Sequence, residues 1–126
     1  MSQMPSVLIT GAYGFVGHKL CQHLIQSGYQ VDAWVREIDE TKAVLGVRYF
    51  GVGNFDHSTT DRMKVLLSEN PVDYLCHLAA RVHQMSESSV NKRAKYLQTN
   101  FEFTKRLYLA ASQSSLKRFI FLSSVK

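Results

Sequence analysis

Cysteine, proline and long apolar runs are scarce in this chain. Two cysteines and two prolines among 126 residues exclude a disulfide-knit scaffold and a proline-rich or collagen-like segment. Cys21 and Cys76 each lie inside an apolar stretch, the setting of a buried free thiol rather than of a bridge or a metal ligand. No apolar run approaches the ~18 residues that a membrane-spanning helix needs. The opening MSQMPS lacks the basic start and apolar core of a leader peptide. These features predict a soluble, cytoplasmic protein with no membrane partner. What remains is ordinary: 45% apolar and 20% charged residues suffice for one hydrophobic core, so residues 1–126 are expected to form a single domain.

Acidic side chains are short in one half only. The net charge is +5, and residues 1–74 hold 6 basic and 8 acidic side chains against 9 and 2 in residues 75–126. An excess of this kind attracts nucleic acid or any phosphorylated ligand. The basic pairs Lys92/Arg93, Lys105/Arg106 and Lys117/Arg118 come without interleaved exposed aromatics or a nucleic-acid motif. They read as a solvated helix face, and no nucleic-acid partner is expected. The five histidines, at 18, 23, 57, 77 and 83, include no pair at i, i+4 helical spacing and no completing carboxylate or cysteine. No metal site is expected, and His77 reads as a packed residue.

Strand and helix patterns alternate along the chain. Ser6 to Thr10 (SVLIT) is a short β-branched run that stops at Gly11, as a buried parallel strand does. Phe15 to Ser27 follows as a helix with Val16, Leu20, Cys21, Leu24 and Ile25 inward, and Gly28 stands where a left-handed cap is wanted. Further strands are read at Gln30 to Val35, Val47 to Val52, Val72 to Leu78 and Arg118 to Leu122. Helices are read at Thr59 to Ser68, with Met63, Leu66 and Leu67 inward, and at Asn91 to Gln113. The latter buries Leu97, Phe101, Leu107 or Tyr108, and Ala111 at helical spacing. Strands separated by helices imply a Rossmann-like, doubly wound parallel α/β sheet of about five strands. Ligands of such sheets sit at the carboxyl ends of the strands, where the strand order reverses.

At the end of the first strand stands Thr10-Gly11-Ala12-Tyr13-Gly14-Phe15-Val16-Gly17, glycines three apart, opening directly into a helix. One glycine permits the tight turn, another the approach of backbone to a pyrophosphate, and a third the close packing of helix on sheet. The free N–H groups of the helix start then face the phosphates. A phosphate-binding loop of the Walker type is excluded, because His18 follows Gly17 where a Lys and then Ser or Thr are required.

TGAYGFVG resembles the TGxxGFxG motif of the extended short-chain dehydrogenase/reductases, the NAD-dependent epimerase/dehydratase family. His77-Leu78-Ala79-Ala80 is similar to its HxAA segment. Thr99-Asn100 with Thr104 and Leu107 is similar to its VNxxGTxxL helix, and FIFLSS, Phe119 to Ser124, to the strand ending in its catalytic Ser/Thr. HLAARVH and FLSSVK look most like the branch acting on nucleotide sugars of bacterial surface polysaccharides.

The resemblance implies that Gly11, Tyr13, Gly14, Phe15, Val16 and Gly17 form the pyrophosphate-binding loop. It further implies Asn54 and Phe55 beside the adenine, Leu78, Ala79 and Ala80 as a wall along the cofactor, and Asn100 as its polar contact. Ser124 is the implied hydroxyl bonded to the reacting substrate oxygen. Two positions depart from the family: Asn54 stands where Asp is usual and Phe103 where Gly is usual. The cofactor is NAD or NADP. The strand before Arg36 ends without an acid for a ribose hydroxyl, so Arg36 favours the 2′-phosphate of NADP, and Asp32, inside the strand, is read as surface or structural.

One family element is missing. Its proton transfer uses a Tyr with a Lys four residues on, the cation lowering the Tyr pKa. Tyrosines fall at 13, 29, 49, 74, 96 and 108, and none has that Lys. The chain is therefore expected to be the N-terminal, cofactor-binding part of an epimerase or ketoreductase for a nucleotide-sugar substrate, inactive alone and homodimeric through the long helix. Its fifth strand is expected to lack a sixth neighbour. The alternative reading is a non-catalytic dinucleotide-binding module acting as a sensor or partner subunit.

Overall fold

The computed structural model describes residues 4–53, 60–78 and 90–122, the side chains of 90–100 excepted. Five parallel strands form one sheet: β1 (Ser6–Thr10), β2 (Gln30–Val35), β3 (Arg48–Gly51), β4 (Tyr74–His77) and β5 (Arg118–Phe121), in the order β3-β2-β1-β4-β5. Three helices cross between them: α1 (Phe15–Gln26), α2 (Thr60–Glu69) and α3 (Val90–Ser112). The architecture is the Rossmann-like sheet that the pattern predicts. The order runs outward from β1 to β3 and then returns to β4 on β1's other side, so the reversal falls between β1 and β4, with Thr10 paired to His77.

Both faces of β1 and β2 are buried, which is why their sequences are continuous apolar runs rather than alternating ones. On one face Val7, Ile9, Val31, Ala33 and Val35 meet Ala12 and Cys21 of the loop and α1, with Leu20, Leu24 and Ile25 half-buried around them. On the other, Leu8, Trp34 and Leu75 pack against Met63 and Leu67 of α2 and Phe103, Leu107, Ala110 and Ala111 of α3. Gly28 takes φ 92° just beyond α1, the left-handed backbone expected there. Both cysteines are free thiols, and burial, with the neighbouring Cys76 adding to it, pushes the Cys21 thiol up to about 11. No helix among the described residues is long and apolar enough to cross a membrane.

Two inward assignments are corrected. Val16 is exposed, because it lies in the first turn of α1, before the helix reaches the contact at Gly17. In α3 Phe101 is exposed and Phe103 is buried instead; of Leu107 and Tyr108 it is Leu107 that is buried, and the side chain of Leu97 lies outside the described residues. The Phe103 ring, in place of the family's glycine, fills the space between α3 and the sheet. The strands β3, β4 and β5 are also shorter than the apolar runs that announced them. Val52, for example, bonds to β2 through its N–H on Val35 (2.8 Å) but lies past the end of β3.

Among the described residues, one region of the sheet is left uncovered. Beside α1, a groove of about 560 Å³ over β4 and β5 is lined by Pro5, Leu20, Leu24, Tyr74, Cys76 and Ile120 among others. Beyond it Ile120, Phe121 and Leu122 are each about half exposed, and β5 is the outermost strand of the described sheet.

Candidate functional site

The carboxyl ends of β1, β2 and β4 converge on the glycine loop. Gly11 takes φ +78°, a left-handed turn that a side chain strains. Gly14 closes the turn by donating its N–H to Gly11 O (3.1 Å) and serves as the N-cap of α1. Gly17 is buried against that turn: a Cβ there would lie 2.0 Å from Gly11 O, 2.8 Å from Gly11 C and 2.9 Å from Ala12 Cα. All three are backbone atoms, so α1 can approach β1 this closely only with glycine at this position. No side chain caps the start of α1 and its first turn holds no acid. The first N–H groups of that turn thus have no side-chain acceptor from the cap, an arrangement that suits a phosphate.

Tyr13 turns away from this cradle. Its hydroxyl accepts the Asp39 N–H (2.8 Å), and its ring stacks on Tyr49 with centroids 5.4 Å apart. Tyr49 in turn accepts the Val44 N–H (2.8 Å). Two phenol oxygens thus hold the chain that follows β2, which includes a 3-10 turn at Glu40–Lys42 capped by Asp39. Arg36 stands exposed where β2 ends, and its carbonyl accepts the Gly53 N–H (3.1 Å). Asp32 is structural, as its place inside the strand implied. It is buried and takes a two-pronged ion pair from Arg48, Nε to Oδ1 3.0 Å and Nη2 to Oδ2 2.9 Å, which raises the Arg48 pKa.

Across the crevice, Leu78 donates its N–H to Thr10 O (3.0 Å) and Thr10 Oγ1 (3.1 Å). His77 is fully buried, as its packed reading had it. Its Nδ1 lies 2.6 Å from Thr10 Oγ1 and its Nε2 2.9 Å from Thr104 Oγ1 of α3. The Phe103 ring meets it edge-on at 5.2 Å and the Phe121 ring stacks at 5.3 Å. Burial alone lowers its pKa to about 4, so the imidazole is neutral at physiological pH.

The structure thus brings Gly11, Gly14, Phe15, Val16 and Gly17 together at the carboxyl end of β1, with Leu78 bonded to Thr10 beside them and Phe15 and Val16 exposed at the start of α1, whereas Tyr13 packs with the segment after β2 and Arg36 stands exposed at the end of that strand. Asn54, Phe55, Ala79, Ala80 and Ser124 lie outside the described residues, as does the side chain of Asn100. The sequence reading missed Tyr49 and Asp39, and it quoted Thr10 and Thr104 within family motifs without giving either a role. Thr10 carried a second signal, being the polar end of an apolar strand directly before the glycine.

The match to a family model, NAD dependent epimerase/dehydratase, runs over residues 7–126 and takes in this loop. The chain belongs to the NAD-dependent epimerase/dehydratase family. The UDP-glucose 4-epimerase of Vibrio cholerae is 35% identical to it over 127 residues, 98% of this chain and 36% of that protein. Two solved structures share the fold. UDP-glucose 4-epimerase of Thermotoga maritima with UDP-glucose aligns at TM-score 0.75 and 25% identity, over 94% of this chain and 38% of that one. MoeE5 in complex with UDP-glucuronic acid and NAD aligns at TM-score 0.74 and 28% identity, over 94% and 36%. The chain spans little more than a third of the length of these relatives.

Proposed function

We propose that this chain is the dinucleotide-binding part of an NAD(P)-dependent nucleotide-sugar epimerase/dehydratase, a cytoplasmic 4-epimerase or 4-ketoreductase of surface polysaccharide synthesis. The observation that carries the reading is the cradle at Gly17. A Cβ there would lie 2.0 Å from the Gly11 carbonyl, and the helix so admitted starts uncapped over the crevice. Such a cradle fits the pyrophosphate of a dinucleotide, with the N–H groups at Phe15 and Val16 as donors. The family and the relatives' sugar nucleotides support the substrate class.

When bound, the nicotinamide supplies reversible hydride acceptance from a sugar carbinol. The chain's own residues bind and orient. The loop would hold the phosphates, Arg36 would meet the ribose 2′ position, and Leu78, Ala79 and Ala80 would line the cofactor. By the family resemblance Asn54 and Phe55 would flank the adenine, Asn100 would supply a polar contact, and Ser124 would hydrogen-bond the reacting oxygen. The exposed Phe101, Tyr108 and Leu109 on α3 suit a partner helix in a homodimer.

Calorimetric titration of the chain with NAD+ and with NADP+ tests the reading. Saturable binding of one dinucleotide per chain, abolished in Gly17→Val, is expected. Absence of binding by a folded wild-type chain refutes it.

A further inference from the structure

We propose that His77 is a positioning residue for the dinucleotide site, clamping α3 to the mouth of the glycine loop through two threonine hydroxyls. The inference rests on the dinucleotide reading above and adds a residue to it.

Three elements meet at this imidazole. Its Nδ1 contacts Thr10 Oγ1 at 2.6 Å, directly before Gly11, and its Nε2 contacts Thr104 Oγ1 at 2.9 Å, in the middle of α3. A neutral imidazole offers one donor and one acceptor, and each hydroxyl can serve in either role, so both bonds are satisfied together. Thr10 Oγ1 also accepts the Leu78 N–H at 3.1 Å. That single oxygen therefore sets the height of the loop relative to the segment leaving β4. His77 extends this control to α3, 27 residues further along the chain.

The surroundings keep the clamp rigid. Phe103, Phe119 and Phe121 place their rings 5.2, 6.2 and 5.3 Å from the imidazole, and His77 and Thr10 are both fully buried. The Thr10 end of the clamp is buried, while the Thr104 end is partly buried. A purely apolar side chain at 77 would leave the Thr10 hydroxyl one partner short next to the turn at Gly11. The cost would then fall on the loop that the phosphates require. The neutral state, favoured by burial, also keeps a fixed cation out of the core beside the cradle.

Calorimetry with NAD+ on the wild-type chain, Thr104→Val, Thr104→Ser and Val72→Ala tests the clamp. Thr104→Val keeps the branched volume and removes the hydroxyl. It is expected to weaken binding about five- to tenfold, while Thr104→Ser stays within about twofold. Val72→Ala, in the same core cluster but at the opposite end of the sheet, is expected to lower stability with unchanged affinity. Equal affinity in Thr104→Val and wild type overturns the clamp, as does weakening of the same size in Val72→Ala.

Amide exchange decides the clamp independently of ligand. Thr104→Val is expected to speed exchange at Leu78 and Gly14 by about tenfold relative to the amides of α2, and unchanged rates there overturn it. A wild-type chain that takes up no dinucleotide while showing these exchange rates refutes the dinucleotide reading and leaves the clamp standing.

Discussion

Mild acid should weaken this fold through one side chain. His77 has a pKa of about 4 in the folded chain against an ordinary 6.5, the cause being burial among aromatic rings. Between these values the unfolded chain binds a proton that the folded one refuses, so stability falls as pH falls. The contribution is complete above about pH 6.5 and is lost progressively toward pH 4. At about 1.4 kcal/mol per pKa unit, the loss reaches about 2.5 kcal/mol at pH 4.5 and levels off at about 3.5 kcal/mol below pH 4. Against a typical domain stability of about 5–15 kcal/mol this is a large fraction. Asp39 and Asp73 are held below the ordinary carboxylate range, chiefly by hydrogen bonds from Thr41 and Ser6, so their titration falls below this window. Urea denaturation at half-unit steps from pH 7.5 to 4.5 measures the curve. His77→Gln should flatten it, and if that variant does not fold, the ring resonances of His77 should hold constant in an NMR titration down to pH 5. A stability profile flat between pH 6.5 and 4.5, or a ring that titrates near 6.5, would refute the reasoning.

Three further outcomes follow from the same geometry. Gly17→Ala adds a methyl carbon 2.0 Å from Gly11 O. Urea unfolding should show a net loss of about 2 kcal/mol or more, since overpacking against backbone exceeds the roughly 1 kcal/mol that alanine returns in helix propensity. Gly14→Ala, with its Cβ 3.3 Å from the same oxygen, should lose less, and equal stability of all three chains would contradict the close-packing account. Arg36 at the end of β2 predicts tighter binding of NADP+ than of NAD+, and Arg36→Asp should reverse the order in paired titrations; no preference in the wild type removes the argument. The open edge at Ile120, Phe121 and Leu122 predicts a light-scattering mass that rises with concentration, with Ile120→Lys restoring the monomer; a monomer at millimolar concentration in the wild type counts against it.

The parts of this molecule that were legible from sequence are those where one local rule decides. β1 and β2 are buried on both faces, so SVLIT and QVDAWV begin and end in the structure where their apolar runs do. The glycine loop is equally local: a turn at Gly11 and a contact at Gly17 lie six residues apart, and the spacing itself encodes both. Helix α3 shows where local rules stop. Phe101, Phe103, Leu107, Tyr108, Leu109, Ala110 and Ala111 place apolar groups around most of its circumference, so periodicity cannot choose a face. The sheet chose Phe103, whose ring meets His77 edge-on, whereas Phe101 and Tyr108 are exposed.

The same limit explains why the frame of the site was invisible while its loop was plain. Thr10 and His77 are 67 residues apart, and His77 and Thr104 are 27. No spacing rule joins them, because the parallel pairing of β1 with β4 and the crossover through α3 bring them together. A buried histidine at a strand end reads as packing from the sequence, and packed it is. Only the three-dimensional register shows that it packs between the hydroxyls of Thr10, directly before Gly11, and Thr104 of α3. A residue can thus be correctly assigned to the core and still govern the site, because in a doubly wound sheet the core ends where the crevice begins.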